Sequence, residues 1–377
     1  MRILVVTRSY PAPGDLYKYP FVHRRVLAYR QAGHDVAVFQ PGPKGEATDH
    51  EYEGVTCRTG DGAALQRFCE QWRPDVIACH GFSETMWELL QPVACAIPVR
   101  AWLHGSEIPD FMRQKALVAP PSEREAALDA LNVRCSFWDR LIDDFPQRLK
   151  LVFVSQTSVE LARRDWGEKL VPSHYAVIAN PVDVELFEYR PKAAEDRFRM
   201  LLIRPFDSHT YANDMAVEAI RRLQKGDGAH RLSFTIVGDG PLFEDVLRPL
   251  KDLANVSISR RFLTQQEIAE EHRRHGVFLV PTRLDTQGVS RDEAMASGLV
   301  PVTNAIAAVL EFTDESCAAL ARPDDAQGLA DAILEMLEKP QLFLERSKAA
   351  AERIRSERSN QIVIPRELEL LEEAANG

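Results

Sequence analysis

Long apolar runs are missing from this 377-residue chain: no window approaches the ~20 residues needed to cross a bilayer as a helix. A helical membrane span is thereby excluded. Basic excess is missing too, since 46 Lys and Arg face 56 Asp and Glu for a net charge of -10, and counterion release from nucleic acid needs a basic surface. No nucleic-acid partner is expected. The six cysteines (Cys57, Cys69, Cys79, Cys95, Cys135, Cys317) show no CxxC spacing, and several lie in apolar runs. They read as buried thiols of a reducing compartment rather than zinc ligands or disulfides. The opening MRILVVTRSYPAPG has an apolar run of only four residues, too short for a signal peptide, so a cytoplasmic protein is expected, with the inner face of a membrane as an alternative place. No GxGxxG follows RILVV, which argues against a Rossmann dehydrogenase.

What is present is regular alternation. Short β-branched runs, RILVV (2–6), DVAVF (35–39), DVIAC (75–79), VRAWL (99–103), LVFVS (151–155) and YAVIA (175–179), are separated by helix-length segments. RMLLI (199–203), SFTIV (233–237), VSI (256–258), VFLVP (277–281) and LVPVT (299–303) repeat the design. Continuous apolar strands between helices predict parallel sheets covered on both faces. The fold class is therefore α/β: two Rossmann-like, doubly wound parallel-sheet domains facing across a cleft. The turn-rich ANPVDVELFEYRP marks the boundary, giving a first domain over 1–183 and a second over 184–356, with the last helix, 357–377, crossing back to the first. TQQE (264–267) predicts a capped helix start. The segment 121–145 reads as a long helix whose Phe137, Trp138, Leu141 and Ile142 form a core stripe or, alternatively, a peripheral membrane contact.

Ligands of open parallel sheets bind beyond the carboxyl ends of the strands, so polar residues just after a strand are the candidates. These are the loop around Gly14, His80, His104 and Glu107 in the first half, and Arg204, the Gly238-Asp239-Gly240 turn and LDTQGVSRDEAMASGLVP (284–301) in the second. Gly238 and Gly240 would let backbone approach a ligand, or simply make a tight turn. In the last stretch Ser290 and Glu293 spell a capping box, which would leave Asp285 as a turn residue. The rival reading is a binding site, in which Gly288 opens the amides of Val289 and Ser290, beside Gln287, toward an anion such as a diphosphate.

The ordered series AWLHGSE, ANPVDVELF, VGDGPL and EAMASGLVPV resembles the family 4 glycosyltransferases of the GT-B fold. The resemblance implies transfer of a sugar from a nucleotide-sugar donor to an acceptor hydroxyl with retention of configuration. It also implies that Asp285, a shortened acid where the family has Glu, faces the hexose and Glu293 the ribose. Gly238, Asp239 and Gly240 would lie by the base, His104 beside the reacting sugar, and Gly14 and Glu107 on the acceptor side. A glycan or lipid-linked acceptor of surface polysaccharide or lipopolysaccharide synthesis is expected. No cofactor or metal is expected, because no DxD follows a strand. One departure stands out: Arg204 fills the first diphosphate-binding place, but His209 stands where the family has Lys. Arg283, Arg291 or a protonated His209 are the candidate replacements. Two rivals remain, a nucleotide-sugar epimerase on the same fold and a binding protein that has lost catalysis.

Overall fold

Ile3 and Val5 of the first strand pack into one apolar cluster while Leu4 and Val6 pack into another. Side chains alternate across a strand, so their sheet is covered on both faces. The computed structural model describes residues 1–12, 19–226 and 228–377. Gly14 lies outside the described residues.

The chain divides into two compact units. The first comprises Met1–Ala116, Glu123–Ala179 and Val363–Gly377, and the second Leu117–Ser122 and Asn180–Ile362. The first unit holds β1 (Arg2–Thr7), β2 (Asp35–Pro41), β3 (Thr48–Tyr52), β4 (Val55–Gly60), β5 (Val76–His80), β6 (Val99–Leu103), β7 (Leu149–Phe153) and β8 (Tyr175–Val177). Their order in the sheet is β3-β4-β2-β1-β5-β6-β7-β8, parallel except for β3, which runs antiparallel to β4. The second unit holds β9 (Arg199–Ile203), β10 (Ser233–Gly238), β11 (Val256–Arg260), β12 (Val277–Leu279), β13 (Val300–Asn304) and β14 (Ala319–Ala321). These are ordered β11-β10-β9-β12-β13-β14 and are all parallel. In it Met200 and Leu202 face one cluster and Leu201 another, the same alternation as in β1. The expected pair of doubly wound α/β units is what the chain forms.

Two features depart from the sequence reading. The β3-β4 hairpin, turning at Glu53 and Gly54 with φ of 44° and 72°, has polar, half-exposed strands and so lacks the apolar run by which the others are recognised. Four cysteines are buried, but Cys95 is exposed and Cys135 half-buried. The long helix spans Pro121–Asp143, and its stripe is core: Phe137 and Trp138 are 5% and 1% exposed, packed against Phe82, with Trp138 also against Trp166. That removes them as membrane anchors. Among the described residues no helix is long and apolar enough to cross a membrane.

The last helix, Asn360–Asn376, gives Val363, Ile364, Leu368 and Leu371 to the cluster that also takes Ile3 and Val5. A buried charge ties it there. Glu367, with no exposed surface, accepts from Arg25 Nε at 3.0 Å and from the Tyr29 hydroxyl at 2.5 Å. Removing one partner of a buried pair strands the other, so Glu367→Ala should cost about 3 to 5 kcal/mol in urea unfolding. A cost under 1 kcal/mol would mean the pair is not desolvated as described.

In the second unit His272 is buried, its Nδ1 3.2 Å from Ser297 Oγ, and burial pushes its pKa down to about 3. The unfolded chain binds this proton near pH 6.5 and the folded chain does not, so stability present above that pH is lost on acidification. At pH 5 the loss attributable to His272 should be about 2 kcal/mol. Comparing urea midpoints at pH 7 and pH 5 should show a smaller drop for His272→Gln than for the parent chain.

Candidate active site

Strand order reverses once in each unit, between β1 and β5 in the first and between β9 and β12 in the second. At such a reversal the loops leaving the carboxyl ends diverge and open a crevice. In the second unit the residues leaving those ends are Arg204 and the stretch from Thr282 to Gly288.

Arg204 is 6% exposed, its Nη2 donating to the Pro281 carbonyl at 3.4 Å and its guanidinium lying 5.2 Å from the Tyr211 ring centre. Burial lowers its pKa, Asp285 and Tyr211 raise it, and Arg291 lowers it. Its buried Nε has no hydrogen-bond partner among the described residues. A buried donor without a protein partner is costly and calls for an acceptor from outside the chain, water or ligand. Asp285 is held in a turn, its Oδ1 accepting from the amides of Thr286 at 2.8 Å and Gln287 at 3.2 Å. The turn leaves Oδ2 beside Gly288.

The capping-box reading of Ser290 and Glu293 is overturned. The helix Val289–Ala296 begins after Gly288, which adopts φ 88° and ψ 59° and supplies no side-chain cap. A Cβ at Gly288 would come within 3.2 Å of Asp285 Oδ2 and of the Arg291 guanidinium, a tight fit, and the positive φ itself would strain any side chain there. Val289, Ser290 and Glu293 are half-buried on its first turns. An anion placed there would meet the positive end of the helix dipole.

Gln287 was expected to touch the donor, but its side chain turns inward, 1% exposed. Its Oε1 accepts from Asn180 N at 2.6 Å and Nδ2 at 2.9 Å, and its Nε2 donates to the Asn180 carbonyl and to Asp292 Oδ2, both at 3.1 Å. Asp292, with no exposed surface, in turn receives Arg291 Nη2 at 2.9 Å and lies 3.3 Å from Arg358 Nε. Sequence reading missed this network because Asn180 and Arg358 are remote in the chain. Only the apolar neighbourhood of Asp292, RDEAMASGL, hinted that a carboxylate there would be buried.

The glycines of the VGDGPL turn have a structural cause. A Cβ on Gly238 would lie 2.0 Å from the Arg204 carbonyl, and one on Gly240 2.4 Å from the Phe206 backbone. They let this turn pack against the chain leaving β9, where Phe206 N donates to the Asp239 carbonyl at 2.8 Å. Asp239 faces Arg260 at 2.8 Å, which holds its pKa below the usual carboxylate range.

Of the candidate replacements for the lysine, Arg283 is committed elsewhere. It makes two bonds of 2.7 Å to Asp214, one of 2.8 Å to Asp324 and one of 3.0 Å to the His209 carbonyl. Arg291 is answered by Asp292. His209 opens the single turn His209–Tyr211, half-buried, on the loop that follows Arg204.

In the first unit His104 follows β6. Its amide donates to Glu107 Oε2 at 2.9 Å, and Glu107 is 4% exposed with a pKa raised by burial. His104 Nε2 lies 3.1 Å from Nδ1 of His80, which is fully buried and stacked on Trp102. Burial, then the charges of Arg25 and His104, push the His80 pKa well down. His80 is therefore held neutral beside His104.

Among the described residues no cluster of three or more His, Cys, Asp or Glu side chains is arranged to hold a metal ion. No curated protein matches the chain. Its fold is similar to solved structures at low identity. Sucrose-phosphate synthase from Thermosynechococcus elongatus has a TM-score of 0.75 and 14% identity, over 99% of each chain. HepE from Anabaena in complex with UDP and glucose has a TM-score of 0.71 and 14% identity, over 99% of this chain and 100% of that one. An α,α-trehalose-phosphate synthase (UDP-forming) from Burkholderia vietnamiensis has a TM-score of 0.71 and 14% identity, over 99% and 97%. Residues 198–339, which carry Arg204, the VGDGPL turn, Asp285 and Glu293, match the family described as glycosyl transferases group 1. The fold is thus shared over the whole chain, and the family match covers residues 198–339 within its second unit.

Proposed function

We propose that the protein transfers a sugar from a nucleotide-sugar donor to an acceptor hydroxyl, with retention of configuration and without a metal, in polysaccharide or glycoconjugate synthesis. One observation carries the reading: the buried Arg204 guanidinium, with its partnerless Nε, stands at the strand-order reversal of the second unit beside Asp285 and Gly288. In this reading the donor's diphosphate lies against Arg204 and the amides that open the helix Val289–Ala296. Asp285 takes the hexose, Glu293 the ribose, and the Gly238-Asp239-Gly240 turn flanks the base. The first unit bears the acceptor, with His104 and Glu107 among its polar groups. A retaining transfer needs no enzyme nucleophile, because the leaving diphosphate can accept the hydroxyl proton as the new bond forms. The protein's task is then to stabilise charge on the departing oxygens, which a desolvated guanidinium and oriented amides do without reorganising.

The arrangement also favours a second reading, a binding protein with impaired turnover. With Arg283 committed to two aspartates and Arg291 to Asp292, Arg204 lacks a second dedicated cation.

A thermal-shift screen of UDP, GDP, dTDP and ADP sugars tests the donor site, since a ligand at 100 times its Kd should stabilise by ~2.7 kcal/mol. No response to any of the four would reject both readings. With a donor found, Arg204→Ala should lower kcat by ~10² to 10³, and Asp285→Ala or Glu293→Ala should abolish transfer with the melting temperature of the apo protein unchanged. Donor binding without transfer to any acceptor extract favours the second reading, and donor interconversion without acceptor points to an epimerase.

A further inference from the structure

At the strand-order reversal of the first unit a cavity of about 210 Å³ opens beyond the carboxyl ends of β1, β5 and β6. Its walls include Arg8, Ser83, Glu84, Ser106, Glu107 and Arg134. Arg8 follows β1 directly, and Arg134 reaches in from the helix Pro121–Asp143. The volume is room for a small charged group.

The two guanidiniums work against each other. Arg134 is half-buried, and burial lowers its pKa; Glu107 then raises it, and the charge of Arg8 lowers it by less. Their hydrogen-bonding partners are neutral oxygens: Arg134 Nη1 donates to the Ser106 carbonyl, and Arg8 to the Tyr19 hydroxyl. The two acids of the wall are turned to other groups. Glu107 Oε2 receives the His104 amide, and Glu84 Oε1 lies 2.5 Å from Arg140. The helix Glu84–Ala94 also starts at this wall, capped by Ser83, so its positive end adds to the same field. Two guanidiniums and the start of a helix thus meet at one small cavity, and arginine forks suit phosphate or carboxylate oxygens.

We infer that this cavity receives an anionic group, a phosphate or a carboxylate, carried by the sugar acceptor, with Arg8 and Arg134 as its ligands. The inference rests on the reading of the first unit as acceptor-bearing and adds the acceptor's chemical class. An uncharged acceptor would make no use of the two guanidinium forks. The phosphate and carboxylate forms share this chemistry and differ in oxygen count and charge, so affinity can separate them.

Calorimetry on the full-length protein with glucose 6-phosphate, glucuronate, inorganic phosphate and glucose tests it, with UDP titrated in parallel. The expected result is that at least one anionic probe binds about tenfold or more tightly than glucose, the better of the phosphate and carboxylate arms naming the source. Arg8→Gln and Arg134→Gln should each remove about tenfold of that preference and leave UDP affinity unchanged. Arg8 lies at the surface, so its variant is informative even if Arg134→Gln folds poorly. Equal binding of glucose and the anions, no binding of any anion, or a preference that survives Arg8→Gln would overturn the inference. UDP binding in those cases keeps the donor reading standing, whereas no binding of UDP, GDP, dTDP or ADP strikes at that reading and not at the cavity.

Discussion

A single buried carboxylate organises the second unit's candidate site. Asp292 has no exposed surface and lies between Arg291 and Arg358 while accepting from Gln287. A charge so placed is tolerated only when its partners are fixed in position, and fixing them fixes everything attached. Gln287 clamps Asn180, and Arg291 reaches back to the Gln287 carbonyl. The turn that presents Asp285 and the first amides of the helix Val289–Ala296 are therefore held by a network lying beneath them. Rigid support of this kind makes oriented dipoles useful, because no reorganisation is then needed when charge develops.

The strand ends contribute the second half of the arrangement. Arg204 leaves β9 with its Nε unanswered, and the Gly238-Asp239-Gly240 turn is pressed so closely against the segment after β9 that no Cβ fits. These glycines shape the site indirectly by fixing Phe206 and its neighbours. The first unit repeats the principle in different chemistry, with a neutral His80 stacked on Trp102 and bonded to His104. In both units a buried group that touches no solvent positions one that can.

Much of this was legible from periodicity. The apolar runs announced the strands of both sheets except β3, β4 and β14, which are polar or very short. Arg204 and Asp285 could be placed at strand ends because RMLLI and VFLVP are unmistakable strands. The start of the helix after Gly288 was misread, since SRDE has the spacing of a capping box and only the backbone shows that the helix has already begun two residues earlier. Gln287 was misread for a similar reason: a polar residue beside a glycine looks solvent-facing until Asn180 and Asp292 are seen around it. Trp138 read mainly as core, with an anchor as the lesser alternative, and its burial agrees with the first. What sequence could not offer were pairings such as Arg358 with Asp292 or Glu367 with Arg25, because local patterns carry no record of partners distant in the chain.

That last pairing has a consequence for how the molecule is made. The first unit takes Val363–Gly377 into its core, and Glu367 in that segment answers Arg25. A ribosome exposes Arg25 early and Glu367 only after the whole of the second unit. Until Val363–Gly377 emerges the leading unit lacks the residues that seal one face of its sheet, while the second unit, most of it within Asn180–Ile362, can close first. The unit translated first is thus completed after the second, and a chain cut before Val363 would carry an intact second unit and an unsealed first.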